Sequence, residues 1–238
     1  MQATEYICLT LTDAARAALV AAFPAAHGTC FYHHLTVRHS PPAGPVPAPL
    51  HAALGAGVLL SVLAVLDSGG VQAALVDWQE DALDGGAALA EAAWSAQGPA
   101  GGRAASASAV RAALGSLAGL LGPEPGRLTA NPAPHITLST DGQPPVASNR
   151  MLEGALAPDL LARLHAKQRP SAQELLACCS SARLPTAAPL LLRAHLEAVP
   201  RAAAQKQRQP VAAAAATAVQ PTAAAAPAAG CCGCCAVV

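Results

Sequence analysis

The chain has 238 residues, a length that allows one well-buried core or two small ones. Its 14 lysines and arginines are matched by 14 aspartates and glutamates, so the formal net charge at pH 7 is zero. This balance excludes a protein that grips a long nucleic-acid tract by neutralising many phosphates, and an RNA partner would have to be short or held at one local site.

The first segment predicts a β-α unit followed by a second strand. Residues Tyr6–Leu11 favour a strand, and Thr12 with its neighbouring aspartate can cap a helix that runs to about Ala22. Phe31–Val37 predicts the second strand. That strand ends in the proline-rich segment Ser40–Pro49, which we predict to be a loop because proline removes backbone donors.

The middle of the chain predicts a hairpin. Val58–Leu66 and Val71–Trp78 favour strands, and the four residues between them, Asp67–Gly70, have the composition of a turn. Glycine and alanine then prevail over about residues 84–107, which predicts a loosely ordered insertion. A helix is predicted after it, over Ser108–Leu121.

The last third predicts alternating short elements and a tail. His135–Ser139 favours a strand, Ser148–Leu156 and Ser171–Ser181 favour short helices, and Leu190–Val199 favours a closing strand, although a helix also fits its pattern. Residues 201–238 are poor in large apolar side chains, a composition that cannot offset the entropy of ordering. We therefore expect one domain over residues 1–200 and a low-complexity, disordered tail with a cysteine-rich end.

The lack of a secretory signal and the distribution of the cysteines predict an intracellular protein. Met1–Leu11 lacks the basic and apolar regions of a secretory signal, and the longest nearly apolar stretch, Ala52–Leu66, is shorter than the roughly 18 residues that span a bilayer. Four of the eight cysteines crowd the C-terminus, so the sequence does not predict a disulfide framework. We expect a cytoplasmic or nuclear protein without a transmembrane segment.

Two segments repeat one pattern of histidine, apolar residue, threonine, apolar residue. They begin at His34 and at His135, 101 residues apart along the chain. Because successive side chains of a strand alternate between its faces, His34 shares a face with Thr36, and His135 shares one with Thr137. Each copy therefore presents an imidazole and a hydroxyl together, and a compact sheet can bring both copies to one pocket.

This set of side chains suits hydrolysis of a phosphodiester by general acid–base catalysis. One neutral histidine can take a proton from water while the other, protonated, donates a proton to the leaving ribose oxygen. The hydroxyls of Thr36 and Thr137 can donate hydrogen bonds to the non-bridging phosphate oxygens. We predict His34 and His135 as catalytic residues and the two threonines as phosphate-binding residues, with no metal or other cofactor.

The two segments resemble the 2H phosphoesterase superfamily, which is defined by a pair of His-x-Thr/Ser motifs on two strands. The closer resemblance is to the cyclic phosphodiesterase domain of plant- and fungal-type tRNA ligase. It is specific at HLTVRH (34–39) and at PHITL (134–138), which is followed by a loop and a small helix like those at 146–152. Over the rest of Tyr6–Val199 it is loose.

The resemblance implies a fold and a substrate. The fold would be α+β and bilobal, with antiparallel sheets forming a central cleft and helices flanking them. The substrate would be a nucleoside 2′,3′-cyclic phosphate, or an RNA end that carries one, opened to a 2′-phosphate as in RNA repair and tRNA splicing. The sequence has neither a G-x-x-x-x-G-K-[ST] phosphate loop nor a nucleotidyl-transfer lysine motif, so we expect a free-standing phosphodiesterase domain.

Two other functions fit the same sequence. The first is a catalytically inactive module on the same fold that binds an RNA end or a nucleotide through the threonines. The second is an anchored interaction protein, because Cys235 begins a C-terminal C-a-a-X sequence that could carry a lipid. Its last residue, valine, is atypical of that motif, and an unmodified, compositionally biased tail is the simpler interpretation.

Overall fold

Seven strands and a set of short helices make up the part of the chain that the computed structural model describes, residues 4–39, 48–55, 57–78, 129–166, 168–186 and 190–200. The strands are β1 (Thr4–Leu11), β2 (Thr29–Cys30), β3 (His34–His39), β4 (Gly57–Ser68), β5 (Val71–Trp78), β6 (His135–Thr140) and β7 (Leu190–Pro200). The helices are α1 (Asp13–Ala22), α2 (Ala48–Ala53), α3 (Ala147–Ala155), α4 (Pro158–His165) and α5 (Ala172–Cys178).

Six of the strands form one closed antiparallel barrel. Their order is β6-β3-β1-β7-β4-β5, and β5 pairs again with β6 to close the circuit. The short strand β2 pairs with the end of β6 and lies outside the circuit. The architecture is therefore mostly β, and the prediction of a bilobal α+β fold with a cleft between two sheets is wrong. The β5–β6 pairing overturns it, since this pairing joins into one barrel the strands that a bilobal fold would divide between two sheets.

The barrel interior is filled by apolar side chains that alternate along every strand, as expected when one face of each strand is buried. One buried cluster draws on all six barrel strands: Ile7, Leu9, Leu11, Leu35, Val37, Val58, Leu60, Val62, Val65, Ala74, Val76, Ile136, Leu138, Leu192, Ala194 and Leu196. A second cluster joins the outer face of β4 and β5 to helices α3, α4 and α5, through residues that include Leu66, Leu75, Leu152, Leu160 and Leu175. The helices thus cover one side of the barrel.

Local sequence signals identify most of the described elements. Thr12 caps α1 by accepting a hydrogen bond from the backbone N–H of Ala15, and the hairpin of β4 and β5 turns at Gly69 and Gly70, both at positive φ. The closing segment is a strand, β7, rather than a helix. Helix α4 lies where the sequence pattern predicts no helix, and α2 begins at Ala48, inside the segment predicted to be a loop through Pro49.

Residues 40–47 of the predicted proline-rich loop lie outside the described residues, and so do three whole predictions. They are the insertion at about 84–107, the helix over Ser108–Leu121 and the tail at 201–238 with Cys235. Within the described part of the chain, no helix is long and apolar enough to cross a membrane.

Candidate active site

The two His-x-Thr motifs lie on neighbouring strands. Leu35 of β3 pairs directly with Ile136 of β6, and both side chains point into the barrel interior. The residues on either side of this pair therefore point outward. In the antiparallel register His34 lies across from Thr137 and Thr36 lies across from His135, so all four predicted side chains lie on the same outward-facing side of the two strands.

The pairing of this part of the chain with β6 changes register before β3, and this change determines which residues of β3 and β6 lie opposite each other. Cys30 of β2 pairs with Ser139, and Tyr32 donates its backbone N–H to the Thr137 carbonyl, before the pairing shifts to Leu35 with Ile136. Tyr32 has φ of 54°, the left-handed region that few non-glycine residues adopt. Its buried ring is fixed by a hydrogen bond from the hydroxyl to the Phe23 carbonyl, 2.8 Å long.

The loop before β6 is tied to β3 as well. Thr129 Oγ1 donates to the Thr36 carbonyl at 2.6 Å, and the backbone N–H of Ala130 donates to the Val37 carbonyl at 2.8 Å. His165 of α4 supports the same loop from the other side, since its Nε2 atom lies 2.6 Å from the Pro132 carbonyl oxygen. These bonds hold the backbone that carries the second motif against the strand that carries the first.

His135 is buried, at 5% exposure, and both of its ring nitrogens are engaged. Nδ1 lies 2.8 Å from the Ala133 carbonyl oxygen, which can only accept, so Nδ1 carries the proton of the neutral ring. Nε2 lies 2.8 Å from the hydroxyl oxygen of Ser148. The pKa of His135 is lowered because burial penalises the imidazolium, although the bond to Ala133 opposes this effect.

Ser148, at the start of α3, links His135 to Thr137. Its Oγ atom lies 2.9 Å from Thr137 Oγ1 and 2.7 Å from the Pro145 carbonyl oxygen. A serine hydroxyl has a single proton, so Ser148 donates to only one of Pro145, His135 and Thr137 at a time. When it donates to Nε2, the bonds run in one direction from Thr137 through Ser148 and His135 to Ala133. Thr137 is partly exposed, whereas Ser148 and His135 are buried.

His34 is half-buried and stacks on Tyr6, with 5.1 Å between the ring centroids. Its pKa is lowered to about 4, chiefly because burial removes water from the charged form, with smaller contributions from the charges of His33 and His135. The last contribution means that His135 lies close enough to His34 for its charge to disfavour protonation of His34. Without a bound anion, both rings are neutral at neutral pH.

Sequence reasoning missed Ser148 and Tyr6 as members of this site. Ser148 lies in the segment 146–152, which the sequence predicts only as a loop and helix after the second motif. The sequence predicts Tyr6 only as the first residue of a strand. Within the described part of the chain, no group of three or more histidine, cysteine, aspartate or glutamate side chains is placed to hold a metal ion.

Comparisons with known proteins do not place the chain in a family. No protein-family model matches it, and a search of curated proteins gives no significant match. The resemblance to the 2H phosphoesterases therefore rests on the two sequence motifs alone.

Folding stability should depend on pH through the buried imidazoles. An unfolded histidine takes up a proton near pH 6.5, whereas His34 in the folded chain does so near pH 4. Between these values the unfolded chain binds more protons than the folded one. The free energy of unfolding therefore falls as the pH is lowered from about 6.5 towards 4.

We expect His34→Ala to reduce this acid-dependent loss by roughly 1 to 2 kcal/mol, a value that allows for the partial exposure of the ring. Urea unfolding at about pH 7.5 and about pH 4.5 measures the effect. His51→Ala, which removes an exposed imidazole from α2, is the matched control and should leave the loss unchanged. Equal losses in the parent chain and in His34→Ala would show that His34 is not buried as described.

Proposed function

We propose that the chain is a metal-independent cyclic phosphodiesterase that opens the 2′,3′-cyclic phosphate of a nucleotide or of an RNA end to a 2′-phosphate. The observation that carries the proposal is the pairing of Leu35 with Ile136, because it sets both motifs side by side on one outer face. The resemblance to the phosphodiesterase domain of tRNA ligase supplies the substrate class and suggests a role in RNA repair or tRNA splicing.

The negative charge of a bound substrate favours the protonated histidine that the mechanism needs. General acid catalysis needs one imidazolium, yet both imidazoles have lowered pKa values in the free chain. A phosphodiester bound between them brings a negative charge within a few ångströms, and this favours the protonated form of a nearby histidine. The bound anion therefore stabilises the imidazolium form, which burial alone disfavours.

In the proposed reaction a water molecule attacks the phosphorus atom of the cyclic ester. One histidine takes a proton from that water, and the other gives its proton to the ribose O3′ as the P–O3′ bond breaks. The product carries a 2′-phosphate and a free 3′-hydroxyl. The hydroxyls of Thr36 and Thr137 donate to the non-bridging oxygens, where negative charge increases in the transition state.

A second candidate is a binding module on the same fold that lacks turnover. It is favoured by the low exposure of His135 and by the hydroxyl of Ser148 at its Nε2 atom, since both keep this imidazole away from a ligand. Such a protein would bind a cyclic nucleotide or an RNA end through His34 and the threonines. Turnover separates the two candidates.

The test is hydrolysis of the four 2′,3′-cyclic nucleotides, and of a short RNA with a 2′,3′-cyclic phosphate end, by the full chain with a chelator present. We expect the 2′-phosphate as product. A 3′-phosphate would overturn the assignment of the leaving oxygen, and activity that disappears only with the chelator would overturn the metal-independent mechanism. Binding without hydrolysis would establish the second candidate.

We place this activity inside the cell, in the cytoplasm or nucleus. Cys8, Cys30, Cys178 and Cys179, the cysteines of the described residues, are all free thiols. Free thiols are typical of compartments that keep cysteines reduced.

A further inference from the structure

A polar cluster beside the candidate active site takes no part in the acid–base chemistry. Glu197 Oε2 accepts a hydrogen bond from Thr10 Oγ1 at 2.8 Å, and Glu197 Oε1 accepts one from His195 Nε2 at 2.9 Å. Thr10 belongs to β1, and the other two residues belong to β7. We call these three residues the Glu197 cluster.

Strand register places the cluster on the same outer face as the catalytic candidates. Thr10 pairs with His34 of β3 on one side and with His195 on the other. Residues that pair directly across strands point to the same face of the sheet. Since neighbouring strands lie about 4.8 Å apart, β7 is about 10 Å from β3 across this face. A single nucleoside can cover that distance.

Among the residues that the structure describes, two hydrogen-bond donors reach the carboxylate of Glu197. An ionised carboxylate offers about four acceptor positions, and Thr10 and His195 occupy one on each oxygen. The Glu197 side chain is 39% exposed, so the remaining positions can be reached by a ligand. Thr10 and His195 also fix its orientation, which lowers the entropic cost of using it for recognition.

A surface depression adjoins the cluster. It measures about 430 Å³ and is lined by Leu54, Gly55 and residues 195–200. The depression is shallow and open to solvent, so a ligand would lie against it with one face exposed. The cluster therefore combines a fixed, accessible acceptor with space for a planar ring.

We propose that the Glu197 cluster binds the base of the nucleotide whose phosphate lies at the two histidines, and that it selects guanine. The inference rests on the proposed function, because the phosphate position sets the position of the base. Guanine presents an imino N–H and an amino N–H side by side, and the two free acceptor positions of the carboxylate can receive both.

The other bases fit a carboxylate less well. Adenine and cytosine each present one amino group beside an acceptor nitrogen, and uracil presents one imino group between two carbonyl oxygens. An acceptor that faces the carboxylate is left without a hydrogen bond and is repelled by its charge. The Glu197 cluster thus favours guanine both by attraction and by exclusion of the alternatives.

The experiment compares the full chain with Glu197→Gln, which keeps the side-chain shape and replaces one acceptor oxygen by a donor. In the unmodified chain, kcat/KM for 2′,3′-cyclic GMP should exceed that for 2′,3′-cyclic AMP by about ten-fold or more, and the substitution should remove this preference. Glu153→Gln, at an exposed position of α3, is the matched control and should retain it.

A binding measurement separates this inference from the proposed function. Calorimetric affinities for 2′-GMP and 2′-AMP do not require turnover. A guanine preference in binding without hydrolysis would support the cluster and overturn the proposed enzyme. Equal hydrolysis of all four cyclic nucleotides, unchanged in Glu197→Gln, would overturn the cluster and leave the enzyme in place. The preference of the unmodified chain is a test that does not depend on how well the variant folds.

Discussion

Replacing either candidate catalytic histidine by alanine is expected to lower kcat for 2′,3′-cyclic nucleotides by about 100-fold or more, the usual cost of losing a general acid or base. His34 and His135 lie on neighbouring strands with their side chains on one face, and each has its charged form disfavoured by burial. Neither ring can take over the role of the other, because one must accept a proton while the other donates one. The measurement is steady-state hydrolysis near neutral pH with a chelator present.

The histidine variants need two controls. His51→Ala removes an exposed imidazole from α2 and should keep the parent rate. Because His135 is buried, the urea unfolding midpoint of each variant shows whether lost activity reflects lost structure. If His34→Ala and His135→Ala are both folded and as active as the parent chain, the assignment of the active site is wrong.

The sequence predicted individual strands better than their assembly. The faces of β3 and β6 follow from simple alternation, and the β4–β5 hairpin follows from two glycines that reach positive φ. The pairing of β5 with β6 does not follow from any local pattern, because 56 residues separate the two strands. That one long-range pairing closes the barrel, whereas the expectation of a bilobal fold comes from the resemblance of the two motifs.

In the candidate site, too, the local sequence predicts some features, and others depend on long-range contacts. The pairing of an imidazole with a hydroxyl at positions 34 and 36, and again at 135 and 137, needs only the two-residue period of a strand. Ser148 reaches His135 because helix α3 packs beside β5 and β6, a contact that the sequence does not encode locally. The Glu197 cluster likewise depends on β1 lying between β3 and β7.

Ser148→Ala is expected to lower kcat by roughly 10- to 100-fold while KM changes little, because Ser148 positions the His135 imidazole and does not itself hold the substrate. In the fold, Ser148 is 1% exposed and lies 2.8 Å from His135 Nε2. Without the hydroxyl, Nε2 of a buried ring loses its partner and the ring loses one of the two bonds that fix its plane. The partly exposed Thr137 also loses its link to His135.

Ser139→Ala is the matched control for this prediction. Ser139, on β6, is also a buried serine, and its hydroxyl donates to Gln72 at 2.8 Å, away from His135. Both variants remove one buried hydroxyl and should lose comparable stability, but only Ser148→Ala should lose activity. A rise in kcat for Ser148→Ala would show the opposite role, in which the hydroxyl blocks Nε2 and must be displaced before His135 can act. Equal losses of kcat in the two variants would mean that Ser148 contributes to stability alone.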